Sequence, residues 1–413
     1  MHCLILGKVW PEPDSTAAGR RTIDIIQALL AAGYRVTVAS AARPNEYSFD
    51  LKALNVSVHS IQTNDSAFDS WLAKLDPNIV LFDRFMVEEQ FGWRVEKVCP
   101  DALRILDTSD LHFLREARRD QVEKGGEAFN SYNEIALREI AAIHRSDLTF
   151  IIADYEVKLL REEFKIPERQ IAYLPFWLDL ENAKFTSFES RQNFMMIGSF
   201  MHLPNVDAFR WCKQEIWPRI REKLPQAELH CYGAYGDNYK TELHAPNNGF
   251  IYKGRTENAL LTMQKYRVNC VPLRYGAGLK GKVFDGFQTG TPMVLSLVGA
   301  EGIVDSEELE YAGFSDPDEF AKNAVELYTN DEFWRTAQAQ GCSIVKKRFS
   351  SSNWLPRLKY LIETAFVQIK ENRMRHFVGR MLRHHQHRST EYMSRWIEAK
   401  NLNNKAKSSK KHP

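Results

Sequence analysis

The sequence contains no long apolar run: no stretch approaches the roughly 20 apolar residues that a bilayer-spanning helix requires. It also lacks a strong overall charge, because 55 lysines and arginines nearly balance 53 aspartates and glutamates. The resulting net charge of +2 does not indicate a nucleic-acid partner. The first residues, Met-His-Cys-Leu-Ile-Leu, have no basic segment followed by a long apolar core, so they predict a first strand and not a signal peptide.

Cysteine is scarce and scattered. The six cysteines have no Cys-x-x-Cys or similar spacing, and Cys3, Cys231 and Cys270 fall inside apolar runs, as buried free thiols do. The histidine cluster at His384–His387 has no acidic or cysteine partners beside it, so it does not predict a metal site. We therefore expect a cytoplasmic protein without a bound metal.

The length and the hydrophobic pattern predict two domains, because 413 residues exceed one ordinary core. Short apolar strands alternate with amphipathic helices from His2 to Ile152 and again from Phe194 to Leu297, which indicates parallel sheets covered on both faces. We expect an α/β protein whose two Rossmann-like domains face each other across a cleft. The expected limits are a first domain at 1–180, a linker at 181–192, a second domain at 193–352, a helix at 353–370 that crosses back to the first domain, and a partly disordered basic extension at 371–413.

The most informative segment is Val271–Leu295, which has the pattern of a strand, a glycine-rich turn, a helix and a second strand. The turn and helix hold residues that could bind a phosphorylated ligand: Gly276, Gly278, Lys280, Gly281, Lys282 and Asp285. Glycines permit close backbone approach, helix-start amides point at anions, lysines supply countercharge, and a carboxylate can accept hydrogen bonds from sugar hydroxyls. The segment predicts a nucleotide-diphosphate pocket, although such units also occur where nothing binds.

This segment resembles the donor-binding motif of GT-B glycosyltransferases, in particular the retaining family-4 subgroup with a Gly-Ala-Gly-x-Lys-x-Lys sequence. Gly276–Lys282 matches that motif, and Val298–Gly302 matches the Val-Gly-x-Glu-Gly turn that follows it. Asn193–Asn205 resembles the first strand and loop of the family's donor domain, and Phe314–Phe349 resembles its closing helices. The resemblance implies a GT-B fold and sugar transfer without a bound metal or cofactor.

The sequence departs from the family in two places. Family members commonly carry two glutamates separated by seven residues, and here Ala277 stands at the first position and Asp285 at the second. The arginine and lysine that grip the diphosphate after the first donor-domain strand are not evident at Ser199–Asn205. We infer that Lys280 and Lys282 supply this charge, because roughly two phosphate charges would otherwise be poorly compensated in a partly dry cleft.

The resemblance also points to residues outside the motif. Gly19 lies in the loop after the first strand, which in the family faces the donor phosphates and the acceptor, but which could also be an ordinary capping loop. Ser199 lies in the loop after the first donor-domain strand. Glu301 and Gly302 stand where the family often contacts the nucleotide.

His112 is the candidate catalytic residue of the first domain. It follows a predicted strand and matches in position the histidine that many family members place near the reacting sugar, although a structural histidine is the alternative. Asp107 and Asp110 could orient its ring or cap the next helix, and the sequence does not separate these roles.

Arginines cluster in two further segments. Those in Arg115–Arg119 predict ion pairs on a helix surface first and acceptor contacts second. From Ile369 onward basic residues interleave with apolar ones such as Phe377 and Met381, as in a basic amphipathic helix. That helix could lie on an anionic membrane near a lipid-linked acceptor, or be solvated and followed by a disordered end.

The sequence thus predicts a glycosyltransferase that moves a sugar, with retention, from a nucleotide-diphosphate sugar to a hydroxyl of a glycan or lipid-linked acceptor. The candidate catalytic residues are His112 and Lys280. The candidate donor-binding residues are Gly19, Ser199, Gly276, Gly278, Lys280, Lys282, Asp285, Glu301 and Gly302. Two alternatives share the fold: a nucleotide-sugar 2-epimerase, and a binding module without turnover, which the missing first glutamate suggests.

Overall fold

The computed structural model describes residues 1–125, 129–304 and 312–409. Within them, the first half of the chain builds one parallel sheet. Its strands are β1 (His2–Gly7), β2 (Arg35–Ser40), β3 (Ser57–Ser60), β4 (Ile79–Asp83), β5 (Leu103–Asp107), β6 (Leu148–Ile151) and β7 (Ile171–Tyr173). The helices that alternate with them are α1 (Ala17–Ala31), α2 (Ala67–Leu75), α3 (Phe85–Val98), α4 (His112–Lys124), α5 (Glu134–Arg145) and α6 (Asp154–Glu162).

The second half of the described chain builds another parallel sheet. Its strands are β8 (Gln192–Ile197), β9 (Leu229–Tyr232), β10 (Phe250–Gly254), β11 (Tyr266–Val271), β12 (Met293–Ser296) and β13 (Ala312–Phe314). Its helices are α7 (Leu203–Trp211), α8 (Trp217–Lys223), α9 (Lys240–Leu243), α10 (Ala259–Met263), α11 (Gly281–Thr289), α12 (Leu297–Ala300), α13 (Pro317–Thr329) and α14 (Asp331–Ile344). The chain then continues through α15 (Ser351–Val367), α16 (Ile369–Arg375), α17 (Phe377–Leu382) and α18 (Arg388–Ser409).

Both faces of the first sheet are buried, as the continuous apolar strands predict. Leu4 and Leu6 of β1 enter one apolar cluster with Phe82, whereas Cys3 and Ile5 enter a second cluster on the opposite face. Successive side chains of a strand point to opposite faces, so helices on each side bury alternate residues. This arrangement explains why β1 and β4 have no exposed polar face.

The strand order leaves a crevice at the carboxyl ends of the strands in each half. The order is β3-β2-β1-β4-β5-β6-β7 in the first sheet and β10-β9-β8-β11-β12-β13 in the second. The chain therefore turns in opposite directions after β1 and β4, and again after β8 and β11. Parallel sheets bind ligands at the carboxyl ends of such strands, because the loops there diverge and leave a crevice.

The last helices return to the first domain. Leu358 and Ile362 of α15 belong to the same apolar cluster as Ile5 and Leu29. Further along, Arg373 donates to Asp147 at 2.7 Å, so α16 also rests on the first domain. No helix among the described residues is both long and apolar enough to cross a membrane.

Three features of the described chain go beyond the sequence patterns. α5 begins at Glu134, where the Asn133 side chain caps it by accepting from Ala136 N. The three-residue edge strands β7 and β13 were not predicted. The extension is helical through Ser409 and residues 410–413 lie outside the described residues, so its partial disorder stays a prediction.

Candidate active site

A cavity of about 440 Å³ lies between the two domains at the carboxyl ends of both sheets. The loops after β1, β4, β8 and β11 all line it, so the two crevices predicted by the strand order face each other. Its charged lining is predominantly basic: Lys8, Arg20, Arg21, Arg84, Arg115, Arg255, Lys280 and Lys282, against Asp14, Asp24, Asp110 and Asp285. This excess of positive charge favours an anionic ligand.

Two glycines of the turn are required by the contact between the domains. A Cβ on Gly278 would lie 2.8 Å from side-chain atoms of Asp110 and Ile152, and a Cβ on Gly281 would lie 2.5 Å from the Cβ of Ala17. Gly278 also has a φ of +62°, which side chains disfavour. Gly276, Lys280 and its neighbours line the cavity, but Gly278 faces the first domain. The sequence pattern predicted that these glycines let a ligand approach the backbone. At Gly278 and Gly281 it is instead the first domain that approaches the backbone closely.

Ala277, which stands where the motif that the segment resembles has a glutamate, lies in the same contact. Its side chain is 8% exposed and belongs to the apolar cluster of the first domain. Beside it, Gly278 N donates to Glu156 Oε1 at 2.8 Å, and Leu111 N donates to the same oxygen at 3.3 Å. Burial, together with the nearby Asp110 carboxylate, raises the pKa of Glu156 to about 8. Glu156, which the sequence did not single out, thus holds the glycine-rich turn against the first domain.

Both motif lysines line the cavity. Lys280 Nζ donates to the carbonyl oxygen of Gly278 at 2.5 Å, and Lys282 Nζ donates to Asn205 Oδ1 at 2.7 Å. Asn205 is itself held by donating to the carbonyl oxygen of Ser199 at 2.8 Å. The Ser199–Asn205 loop therefore positions a lysine of the motif instead of supplying its own cation. Burial lowers the pKa of Lys282 to about 7 and the pKa of Lys280 to about 8.

Asp285 lies on α11 and forms an ion pair across the cleft. Its carboxylate accepts from the guanidinium of Arg20 on α1. Burial raises the pKa of Asp285, and the Arg20 charge opposes that effect. Asp285 lines the cavity, and its role as an acceptor for ribose hydroxyls stays a prediction. A ribose hydroxyl would share this carboxylate with Arg20.

Two helix starts face the cavity, and both helices are long enough to present free amides to an anion. Thr16–Ala18 line it at the start of α1, and Gly281 and Lys282 line it at the start of α11. Gly19 was expected in the preceding loop, but it lies in the first turn of α1. Its amide is capped by Thr16 Oγ1 at 3.0 Å, and a Cβ there would lie 2.6 Å from the backbone of Glu12. Gly19 therefore packs beneath the cavity wall.

His112 is the first residue of α4 and lines the cavity. Its Nδ1 lies 3.3 Å from the carbonyl oxygen of Asp110 and 3.4 Å from Glu139 Oε1, while its ring meets Phe85 edge-on. The Asp110 carboxylate accepts from Arg115. A ring with one hydrogen bond to a backbone carbonyl and one aromatic contact is suited to a defined contact with a ligand.

Asp107 neither orients the His112 ring nor caps the next helix. It accepts two bonds from Arg21, from Nε at 2.9 Å and from Nη2 at 2.8 Å, deep in the first domain. This pair fixes α1 to the end of β5. Because α1 carries Thr16 at its start, the pair also determines where that helix start points.

The sequence patterns did not reveal the basic side chains that follow β1 and β4 in the first domain. Arg84 has a φ of +72°, a strained value for a side chain, and donates to Asp83 at 3.0 and 2.8 Å. Lys8 lies beside it, and His202 approaches from the second domain with a pKa lowered to about 4 by burial and by Arg115. A charged residue directly after a buried strand was the available signal, because Lys8 follows β1 and Arg84 follows β4.

Glu301 and Gly302 lie outside the cavity lining. The Glu301 carboxylate accepts two bonds from Arg118, at 2.6 and 2.7 Å, and Arg118 also donates to the carbonyl oxygen of Gly276 at 2.9 Å. Gly302 packs against Leu279 and Tyr155. Of the arginines on α4, Arg118 thus links the domains, whereas Arg119 forms the expected surface pairs. Nucleotide contacts by Glu301 and Gly302 stay predictions.

Within the described ranges, no group of three or more histidine, cysteine, aspartate or glutamate side chains is arranged to hold a metal ion.

Residues 191–330 match the family described as glycosyl transferases group 1. The matched segment is 140 of the 413 residues and contains β8 to α13 with the whole lysine motif. A search of curated protein sequences finds no significant match.

Solved structures resemble the chain over nearly its whole length. Sucrose-phosphate synthase from Thermosynechococcus elongatus has a TM-score of 0.67 at 14% identity, covering 89% of this chain and 99% of that one. HepE from Anabaena in complex with UDP-glucose has a TM-score of 0.66 at 12% identity, covering 88% and 100%. A glycosyltransferase from Rickettsia africae has a TM-score of 0.62 at 12% identity, covering 88% and 98%. The chain has the GT-B fold. This fold and the family match together support a glycosyltransferase.

Proposed function

We propose that the protein transfers a sugar from a nucleotide-diphosphate sugar to a hydroxyl group of a glycan or lipid-linked acceptor, with retention of configuration. The observation that carries the proposal is the convergence of Lys280, Lys282 and two helix starts on one interdomain cavity. The group 1 match over the lysine motif supports it, and HepE of similar fold was solved with UDP-glucose. A cytoplasmic location stays a prediction from the sequence.

The proposed chemistry is electrostatic. The bond between the anomeric carbon and the phosphate oxygen breaks, and its electron pair leaves on the diphosphate. Lys280, Lys282 and the amides at the start of α11 stabilise that negative charge as it develops. The acceptor oxygen then bonds to the anomeric carbon on the face that the diphosphate leaves, which gives retention. A departing phosphate oxygen on that face takes the hydroxyl proton.

The first domain supplies the acceptor side of this proposal. His112 lines the cavity with its ring held by the carbonyl oxygen of Asp110 and by Phe85, and we assign it a contact with the donor sugar or the acceptor hydroxyl. Arg84 and Lys8 lie on the same wall. Because Ala277 cannot bind sugar hydroxyls, recognition of the sugar falls to these polar groups of the first domain.

A ligand screen followed by product analysis tests the function. We expect UDP, GDP or dTDP, and one sugar conjugate of that nucleotide, to raise the melting temperature, because a ligand that binds only the folded state stabilises it. The stabilising conjugate is then incubated with candidate acceptors and without any. A glycosylated acceptor supports the proposal. An isomerised nucleotide sugar formed without acceptor would contradict it in favour of an epimerase, and no binding of any nucleotide would favour a module without turnover.

The affinity for the nucleoside diphosphate should fall as the pH rises from 7 to 9. Burial lowers the pKa of Lys282 to about 7 and of Lys280 to about 8, so both side chains lose their charge across this range, and only the ammonium forms attract the diphosphate. We expect Kd to rise at least about tenfold, measured by isothermal titration calorimetry. A Lys282→Arg variant is the control: arginine stays charged, so only Lys280 still loses its charge and the rise of Kd with pH should be smaller than in the wild type. A wild-type Kd that does not change with pH would contradict the assignment.

A further inference from the structure

The C-terminal helices dock on the first domain through one face only. The segment Phe377–Ser409 is helical without a break apart from a wider turn at Arg383–His387. The buried residues of this face recur at intervals of four to seven: Gly379, Arg383, His387 and Ser394. Arg383 pairs with Glu96 at 3.2 Å, and Ser394 accepts from Arg94 at 3.2 Å. The burial of this face therefore follows from its packing against the first domain.

The opposite face exposes large apolar side chains. Met381 is two positions from Arg383, which places it about 200° away around the helix. The exposed set, with the exposed fraction of each residue, is Phe377 72%, Val378 41%, Met381 45%, Tyr392 69%, Met393 59% and Trp396 60%. Soluble monomers rarely expose apolar groups in such a concentration, and a concentration of this kind marks an interaction surface. We call this set the outer stripe.

The outer stripe is embedded in positive charge. From Ile369 to Asn404 the sequence has eight lysines and arginines and three glutamates. Arg373 and Arg383 are engaged in docking. Four other basic residues have no carboxylate within ion-pair distance in the described chain: Lys370, Arg380, Arg388 and Lys400. These four remain available to an anionic surface.

We propose that the outer stripe binds an anionic lipid surface, with α17 and α18 lying in the plane of the headgroups. Aromatic and methionine side chains enter the boundary between headgroups and acyl chains, while Arg380, Arg388 and Lys400 contact lipid phosphates. Trp396 and Tyr392 suit that boundary because each has an apolar ring and a polar group. The surplus of positive charge on both copies opposes pairing of this face with itself.

The experiment is flotation of the full-length protein with phosphatidylcholine vesicles, with and without phosphatidylglycerol. We expect binding to the phosphatidylglycerol vesicles that salt weakens. An apolar variant, Phe377→Ser with Tyr392→Ser and Trp396→Ser, and a charge variant, Arg380→Glu with Arg388→Glu, should each reduce the bound fraction at least about tenfold. The matched control is Leu137→Ser with Tyr360→Ser, which removes apolar side chains that are also exposed but lie outside the stripe.

The replaced side chains are exposed, so each variant should keep the wild-type melting temperature, and this is measured first. Equal binding of the wild type to both kinds of vesicle, or no binding to either, would overturn the proposal. A wild-type dimer in solution that the apolar variant dissociates would overturn it as well, because the stripe would then be a contact between copies. Sugar transfer to a soluble acceptor should be unchanged in the stripe variants, so this outcome is independent of the proposed function.

Discussion

Replacing Lys280 and Lys282 together by alanine will abolish detectable nucleotide binding and lower kcat/KM at least about 1,000-fold, the size of effect seen when a preorganised group that stabilises developing charge is removed. Both side chains line the cavity within the segment that matches the group 1 family. Two neighbouring arginines are already paired, Arg20 with Asp285 and Arg118 with Glu301, so neither can replace the lysines without breaking an ion pair.

Three variants separate charge from structure in this prediction. Lys280→Met keeps the apolar stem but removes the charge, so its melting temperature shows how much of the Lys280 effect is packing. Asn205→Ala leaves both lysines but frees Lys282, and it should weaken binding less than Lys282→Ala does. Lys240→Ala with Lys322→Ala removes two exposed lysines of the same domain and should change nothing. Unchanged nucleotide affinity in the double variant at Lys280 and Lys282 would refute the donor-site assignment.

The central elements of the fold could be predicted from the sequence because central parallel strands are buried on both faces. Ile79–Phe82 and Phe194–Ile197 are continuous apolar runs, and each is a strand at nearly those limits. The edge strands Ile171–Tyr173 and Ala312–Phe314 have only three residues, too few to show a period. Their pairing depends on the neighbouring strand and not on a pattern of their own.

The candidate site was predictable only where its residues are neighbours in the chain. The turn with Lys280 and Lys282 was found because glycines and lysines share seven positions. Arg20 and Asp285 are 265 positions apart, and Arg118 and Glu301 are 183 apart, so no local pattern records either pair. These contacts exist because the domains face each other, a property of the tertiary arrangement that single-sequence patterns do not encode.

The C-terminal extension is a second case in which the sequence did not show which residues contact the rest of the protein. Its composition, basic with interleaved apolar residues, was visible in the sequence. Which of its arginines face protein was not, because Arg373 and Arg383 meet Asp147 and Glu96 on the first domain. The sequence therefore indicated an amphipathic helix but could not separate its docking face from the outer stripe.

The glycine turn leads to the second large prediction, a comparison of Gly278→Ala with Gly33→Ala. Both glycines have a positive φ, +62° and +83°, so alanine costs about 1 kcal/mol or somewhat more of stability at either site. A Cβ on Gly33 meets nothing within 4 Å, whereas a Cβ on Gly278 lies 2.8 Å from Asp110 and Ile152. We expect Gly33→Ala to keep wild-type kcat/KM. Gly278→Ala should lower it about 100-fold, because a shift of about 1 Å in the relative position of reacting groups has that effect.

The affinity for the nucleoside diphosphate decides what this glycine does. If Gly278 lets phosphate approach the backbone, Gly278→Ala will raise the Kd by the same factor by which it lowers kcat/KM. If it exists to let the domains meet, the Kd will stay within about threefold, because Lys280 and Lys282 remain in the second domain, while transfer is lost. The position of Gly278 against Asp110, with Glu156 accepting its amide, favours the second result. Calorimetry with the nucleotide and steady-state kinetics on the same two variants distinguish these cases. Equal losses of nucleotide affinity and of kcat/KM in Gly278→Ala would show that Gly278 serves nucleotide binding and not the contact between the domains.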